Sequence, residues 1–251
     1  MLSLIRAEYK KMSNLRITRI LWIISFAIPL GDLFLCVRYS LKYPNLLAQN
    51  IFFGNFLVVP GVFFTVMITL LQVEEQNDAL KNVLLTGVRK RKILMTKFLA
   101  ALIIAVLLTV MLWVTGLACS FLLGGNKSVW ASFIASITSF AAALGASMPI
   151  MLIIILLRKK FLLSMILSNI LLIADFLLVW QLTMLEGLHL RAPIMIAYRI
   201  TYPLQIFKYS PALQIGLDKL HYPLGGGLMI LLVTTVLSGI TSFKIYEIQE
   251  V

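Results

Sequence analysis

Six stretches of about 20 or more predominantly apolar residues divide this chain: 20–37, 51–73, 98–123, 129–157, 161–180 and 224–243. A run of that length, coiled as an α-helix, matches the hydrocarbon thickness of a bilayer. In lipid the backbone must satisfy its own hydrogen bonds, which only a helix or a closed barrel does. None of the six runs alternates apolar and polar residues as a barrel strand must. Six buried helices of a water-soluble domain are excluded by composition: 61% of the 251 residues are hydrophobic and 13% are charged, too little polar surface to face water. The chain is therefore read as an all-α membrane protein with six transmembrane helices. No polar stretch is long enough to bury a core of its own, so residues 1–251 form a single transmembrane domain.

A net charge of +12 would point to nucleic acid in a soluble protein; here it sets orientation and implies no nucleic-acid partner. With the amino terminus inside, 15 of the 22 Lys and Arg residues fall on inner segments and seven on outer ones. That bias predicts both termini in the cytoplasm of a multi-pass protein. The basic start followed by an apolar run resembles a signal peptide, but no small-residue cleavage site follows Cys36-Val37-Arg38, so the run reads as an uncleaved first span. Cys36 and Cys119 lack metal-ligand spacing and read as small buried hydrophobes.

Between the runs, three segments carry pattern. In 1–13, Leu2, Ile5, Tyr9 and Met12 share one helical face and Arg6, Lys10 and Lys11 fall off it, which suits an interfacial helix in contact with membrane lipid. Residues 74–97 begin acidic (Glu74, Glu75, Asp78) and end basic (Arg89 to Lys92, and Lys97). Between these ends, Leu80, Leu84 and Val88 recur at helical spacing with Val83 and Leu85 beside them, and Thr86-Gly87 breaks the pattern. A short cytoplasmic helix with one apolar face, set between spans 2 and 3, is a docking element for another protein. Residues 181–223 are too interrupted by Pro193, Pro203, Pro211 and Pro223 to span; they suit short re-entrant helices at or dipping into the outer leaflet between spans 5 and 6.

Within the spans, polar residues form stripes. Thr65, Thr69 and Gln72 follow i, i+4, i+7 in span 2; Ser164, Ser168 and Asp175 share a face of span 5, with Asn169 adjacent. Polar stripes in lipid face protein or water, so packing and pathway lining both stand as readings, and Asp175 is either a helix tie or a pathway carboxylate. In span 4, Ala131, Ala135, Ser139, Ala143 and Ser147 make every fourth residue small, a seam for another helix, and Pro149 is expected to kink the run. Pro29 is expected to bend span 1 near Asp32.

The catalytic and metal motifs that a membrane enzyme would need are missing from the sequence. There is no GxxxxGK[ST] and no HExxH, and the two histidines, His189 and His221, sit in the outer segment. Glu74-Glu75 matches the start of the paired-glutamate pattern of certain intramembrane proteases, but the arginine that pattern needs four residues on is Ala79 here. The chain is not expected to be an enzyme.

The order of an amphipathic amino-terminal helix, two spans, a loop opening acidic and closing basic, and four further spans with an outer segment before the last resembles the permease subunits of type-2 ABC (ABC-2) transporters. In particular it is similar to the permeases of lantibiotic-immunity and antimicrobial-peptide exporters of Gram-positive bacteria. The loop EEQNDALKNVLLTGVRKRKILMTKF is similar to the family's coupling segment. The resemblance implies that Glu74, Glu75, Leu80, Val83, Leu84, Leu85 and Val88 couple the chain to two copies of an ABC ATPase subunit. ATP and Mg would be held by that partner, with no cofactor on this chain. It further implies a second permease chain, identical or a sister, location in the bacterial cytoplasmic membrane, and export of amphipathic peptides or lipid-like molecules. Thr65, Thr69, Gln72, Ser164, Ser168 and Asp175 are the candidate pathway. Two rival readings are a non-transporting scaffold or sensor whose inner loop recruits a partner, and an ion-coupled carrier using Asp32 and Asp175.

Overall fold

The computed structural model describes residues 16–41, 43–76, 89–124, 128–184, 192–205 and 222–249, and among these every regular element is helical. In chain order, α1 is Arg16–Arg38 and α2 is Tyr43–Gln49. A π-helical segment, Asn50–Val58, leads from α2 into α3, Val59–Gln76. Then follow α4 (Lys90–Ser120, finished by a 3-10 turn at Phe121–Leu123), α5 (Val129–Ser147), α6 (Pro149–Leu156), α7 (Phe161–Met184), α8 (Pro193–Gln205) and α9 (Leu224–Ile248). Gly124, at φ +95°, ends the 3-10 turn in the left-handed region where a Cβ is strained.

Among the described residues, five stretches are long and apolar enough to cross a membrane: Asn45–Val73, Lys90–Leu123, Val129–Ser147, Phe161–Gln181 and Leu224–Ile248. The run 20–37 lies in α1, a 23-residue helix that continues through Pro29. Membrane helices tolerate an internal proline because neighbours take up the freed backbone groups. The run 129–157 is split at Met148: its N–H bonds to Gly145 O, and Pro149 opens α6 at a position where its missing N–H costs nothing.

The run beginning at Phe98 is preceded by two helical turns that the charge pattern hides. α4 starts at Lys90, so the basic cluster is helix rather than loop. At 1.5 Å per residue its 31 residues extend about 46 Å, well beyond a hydrocarbon core of about 30 Å. The segment 74–97 thus has its first residues in α3 and its last in α4, while 77–88 and the amino-terminal 1–15 lie outside the described residues.

Two apolar clusters hold the bundle. The first joins α3, α4 and α6 through Phe63, Met67, Leu94, Leu108, Met151 and Ile154, with Tyr246 of α9 beside them. The second joins α2, the π segment, α5, α7 and α8 through Leu46, Phe52, Phe56, Ala135, Phe176 and Tyr198. The α8 helix is more enclosed than a helix resting in a leaflet. Nine of its 13 residues are buried, and it packs most extensively against α5. The small-residue seam explains this fit: Ala135, Ser139, Ala143 and Ser147 are all fully buried, and small residues let helix backbones approach closely in lipid, where packing rather than water exclusion drives association. Tyr198 lies edge-on to Phe52 (5.8 Å) and Phe56 (5.3 Å), fastening α8 to the π segment.

Candidate functional site

The start of α4, the turn after α6 and the end of α9 converge at one end of the bundle, which carries Arg89, Lys90, Arg91, Lys92, Arg158, Lys159, Lys160 and Lys244. Lys90 Nζ donates to Gln249 O at 2.7 Å, placing a cation at the negative end of α9. The Arg158 guanidinium carbon sits 5.1 Å from the centre of the Tyr246 ring, and both residues are buried. These contacts tie the amino end of α4, the α6–α7 hairpin and the carboxyl end of α9 into one unit.

Lys97 is the centre of that end. Its side chain is fully buried, and Nζ donates to Leu70 O of α3 at 2.7 Å. The periodicity of α4 puts it there. Leu94, Lys97, Ala101, Ile104 and Leu108 recur at helical spacing, and all are buried. A buried ammonium is stable only where hydrogen bonds replace its water. The Lys97–Leu70 bond therefore fixes α3 to α4 just below the termini from which 77–88 emerges. Reading Lys97 as part of a basic tail missed this; the signal was its register on the apolar stripe.

Higher in the bundle, the π segment is locked on two sides. Asn50 Nδ2 donates to Leu112 O of α4 at 3.0 Å, and Asn55 Nδ2 donates to Ser136 O of α5 at 2.9 Å. In an α-helix, residues five apart diverge by about 140°. The wider π turn, in which Val59 N–H bonds back to Gly54 O, brings the two amides toward the adjoining faces of α4 and α5. Gly116 makes room for this, since a Cβ there would lie 2.7 Å from Asn50 Nδ2. Other ties follow the same logic: Thr115 Oγ1 donates to Ser25 O (3.0 Å), Trp113 Nε1 to Ser132 Oγ (3.1 Å) and Thr235 Oγ1 to Gly145 O (3.1 Å).

The two polar stripes lie on helices that pack together, α3 and α7. Thr65, Thr69 and Gln72 are half-buried, and Thr69 Oγ1 turns back to Thr65 O at 2.8 Å. Ser164 and Ser168 are buried with hydroxyls that find no partner among the described residues, and Asp175 is half-buried. No hydrogen bond joins the stripes among the described residues; of their members only Thr65 is among the described residues lining a lateral groove of about 400 Å³ between α1, the π segment, α3 and α7, which Asn169, beside the α7 stripe, also lines. Asp32 of α1 is buried, and its Oδ2 has no hydrogen-bond partner among the described residues. Cys36 and Cys119 are buried free thiols, and Cys36 Sγ donates to Gln49 Oε1 at 3.5 Å. Among the described residues no group of three or more His, Cys, Asp and Glu side chains is placed to hold a metal ion.

Of the coupling residues, Glu74 and Glu75 lie in the last turn of α3. Leu80, Val83, Leu84, Leu85 and Val88 fall outside the described residues.

Helices long enough to cross a bilayer, polar ties inside apolar packing and one strongly basic end define a multi-pass membrane protein. The family described as "ABC-2 family transporter protein" matches residues 4–175, and the chain belongs to that family. Membership makes it the membrane component of an ABC transporter, a part that works with an ABC ATPase subunit. No curated protein and no solved structure matches the chain.

Proposed function

We propose that this chain is the permease subunit of an ATP-driven exporter that expels, or gives immunity to, an amphipathic peptide of the lantibiotic type or a lipid-like molecule. In this reading α1 is the first of six spans, both termini face the cytoplasm, and α8 belongs to a re-entrant outer segment. Two permease chains, identical or paired with a sister, sit on two ATPase copies in a bacterial cytoplasmic membrane. ATP and Mg belong to the partner; the segment 77–88 carries the force.

The observation that carries the reading is the family match over 4–175, which includes the whole of 74–97. The geometry on either side of 77–88 supports it. A docking segment transmits a push only if its flanks are stiff, and Lys97 holds α3 and α4 together through Leu70 O. From α4 the path continues to α1 through Thr115 and Ser25, and from α3 to α7 by direct packing. A movement at 77–88 would thereby reach both walls of the groove beside Thr65 and Asn169. Glu74 and Glu75 supply negative charge at the start of the docking segment, complementary to basic residues on a partner.

Co-purification tests the proposal. The tagged chain, co-expressed with an ABC ATPase subunit of the same cell, should retain that ATPase through size exclusion and stimulate its ATP hydrolysis. A chain that never retains an ATP-binding subunit ends the exporter reading.

A further inference from the structure

A second lateral groove, of about 670 Å³, lies between the first turns of α4 and the last half of α9. Its α9 wall is one helical face: Thr235, Val236, Gly239, Ile240, Phe243, Lys244 and Glu247. Its α4 wall is Arg89, Arg91, Lys92 and Met95. The two ends differ in chemistry. The mouth holds four cations, Arg89, Arg91, Lys92 and Lys244, against one carboxylate, Glu247. The body is apolar, with Met95, Val236 and Ile240 each more than a third exposed. At the deep end Thr235 is closed off by its bond to Gly145 O. From Lys244 to Thr235 along α9 is roughly 13 Å, most of the depth of one leaflet.

We infer that this groove seats an anionic phospholipid of the leaflet on the basic side: the headgroup phosphate at Arg91, Lys92 and Lys244, one acyl chain along Met95, Ile240 and Val236. Charge complementarity selects the occupant. A net of three positive charges at headgroup height attracts a phosphate, and basic pockets between membrane helices bind acidic headgroups. Lys90 is outside the cluster because its ammonium is held by Gln249 O. A second copy of this chain presenting the same basic mouth would meet like charge there. A lipid so placed would brace α4 against α9 where the bundle itself leaves a gap, whatever the transporter carries.

Gly239 offers a clean probe, because a Cβ there meets nothing within 4 Å and a larger side chain enters the groove rather than the bundle. The full chain, purified in mild detergent, is titrated with phosphatidylglycerol or phosphatidylcholine and its bound lipids counted by native mass spectrometry. The wild type should hold one phosphatidylglycerol in preference to phosphatidylcholine. The double variant R91Q/K92Q should lose about thirty-fold of that preference, from an effect of about fivefold per cation. Gly239→Leu should lower retention of both lipids. Unchanged melting of the variants shows that they remain folded. No preference in the wild type, or variants that bind as the wild type does, overturns the inference. Complete displacement of phosphatidylglycerol by millimolar inorganic phosphate also overturns it, because the site would then read a free anion and not a lipid. None of these outcomes depends on ATPase retention, so the inference and the exporter reading fail separately.

Discussion

Adding one methyl group at Gly116 tests whether the Asn50 lock holds the π segment in place. In Gly116→Ala the new Cβ would sit 2.7 Å from Asn50 Nδ2. An ordinary contact begins near 3.4 Å, so the amide must retreat by about 0.7 Å. Its bond to Leu112 O, now 3.0 Å, would then pass the limit of a hydrogen bond. Asn50 Oδ1 already lacks a partner, so the whole amide becomes buried and unsatisfied. Losing the bond costs about 1 kcal/mol, given that helix-to-helix bonds in membranes average about 0.6 kcal/mol, and overpacking adds about 1–3 kcal/mol. Gly116→Ala should therefore destabilise the bundle by about 2–4 kcal/mol. Asn50→Ala removes the bond but also removes the orphaned oxygen, and should cost about 0–2 kcal/mol. The double variant has no clash left and should be only as unstable as Asn50→Ala alone. Reversible unfolding in mixed micelles gives the cycle, with an expected coupling of about 2 kcal/mol or more in favour of the double variant. Additivity within about 0.5 kcal/mol would refute the close approach of α4 to the π segment.

Lys97→Met removes the buried ammonium together with its desolvation cost, so stability should move by less than about 2 kcal/mol, whereas Lys97→Glu sets a carboxylate against Leu70 O and should cost more than about 3 kcal/mol; equal effects on micelle unfolding would show that the contact is not the clamp. Lys97→Met should also weaken stimulation of the ATPase while leaving its retention intact, read as turnover per retained subunit. Leu84→Glu puts a charge on the apolar face and should reduce ATPase retention at least tenfold in a pull-down; undiminished retention means that another segment docks. Asp175→Asn should alter ATP-driven uptake of cargo into inverted vesicles with the complex still assembled, and loss of assembly would make Asp175 a structural tie.

The apolar run lengths alone placed the chain in a bilayer, because a backbone in lipid has so few ways to satisfy itself that some 20 consecutive apolar residues leave little choice but a helix. The break before Pro149 and the small seam of α5 were also legible, since a missing N–H and missing side-chain volume act locally wherever the helix lies. Tertiary structure decided what depends on which helix stands opposite. Lys97 looked like one more cation beside Arg89 to Lys92 until α3 supplied Leu70 O for it. Asn50 and Asn55 have acceptors only because a π turn aims them at α4 and α5. The proline-interrupted stretch gave no sign that Pro193–Gln205 would be enclosed by the bundle, because proline spacing rules out a span without saying what a short helix packs against. In a membrane, polarity to lipid sorts residues into spans and loops, and that is written in order along the chain. Pairing between helices depends on close packing and on where a buried donor finds its acceptor, and those partners lie 27 residues apart for Lys97 and Leu70 and 81 apart for Asn55 and Ser136.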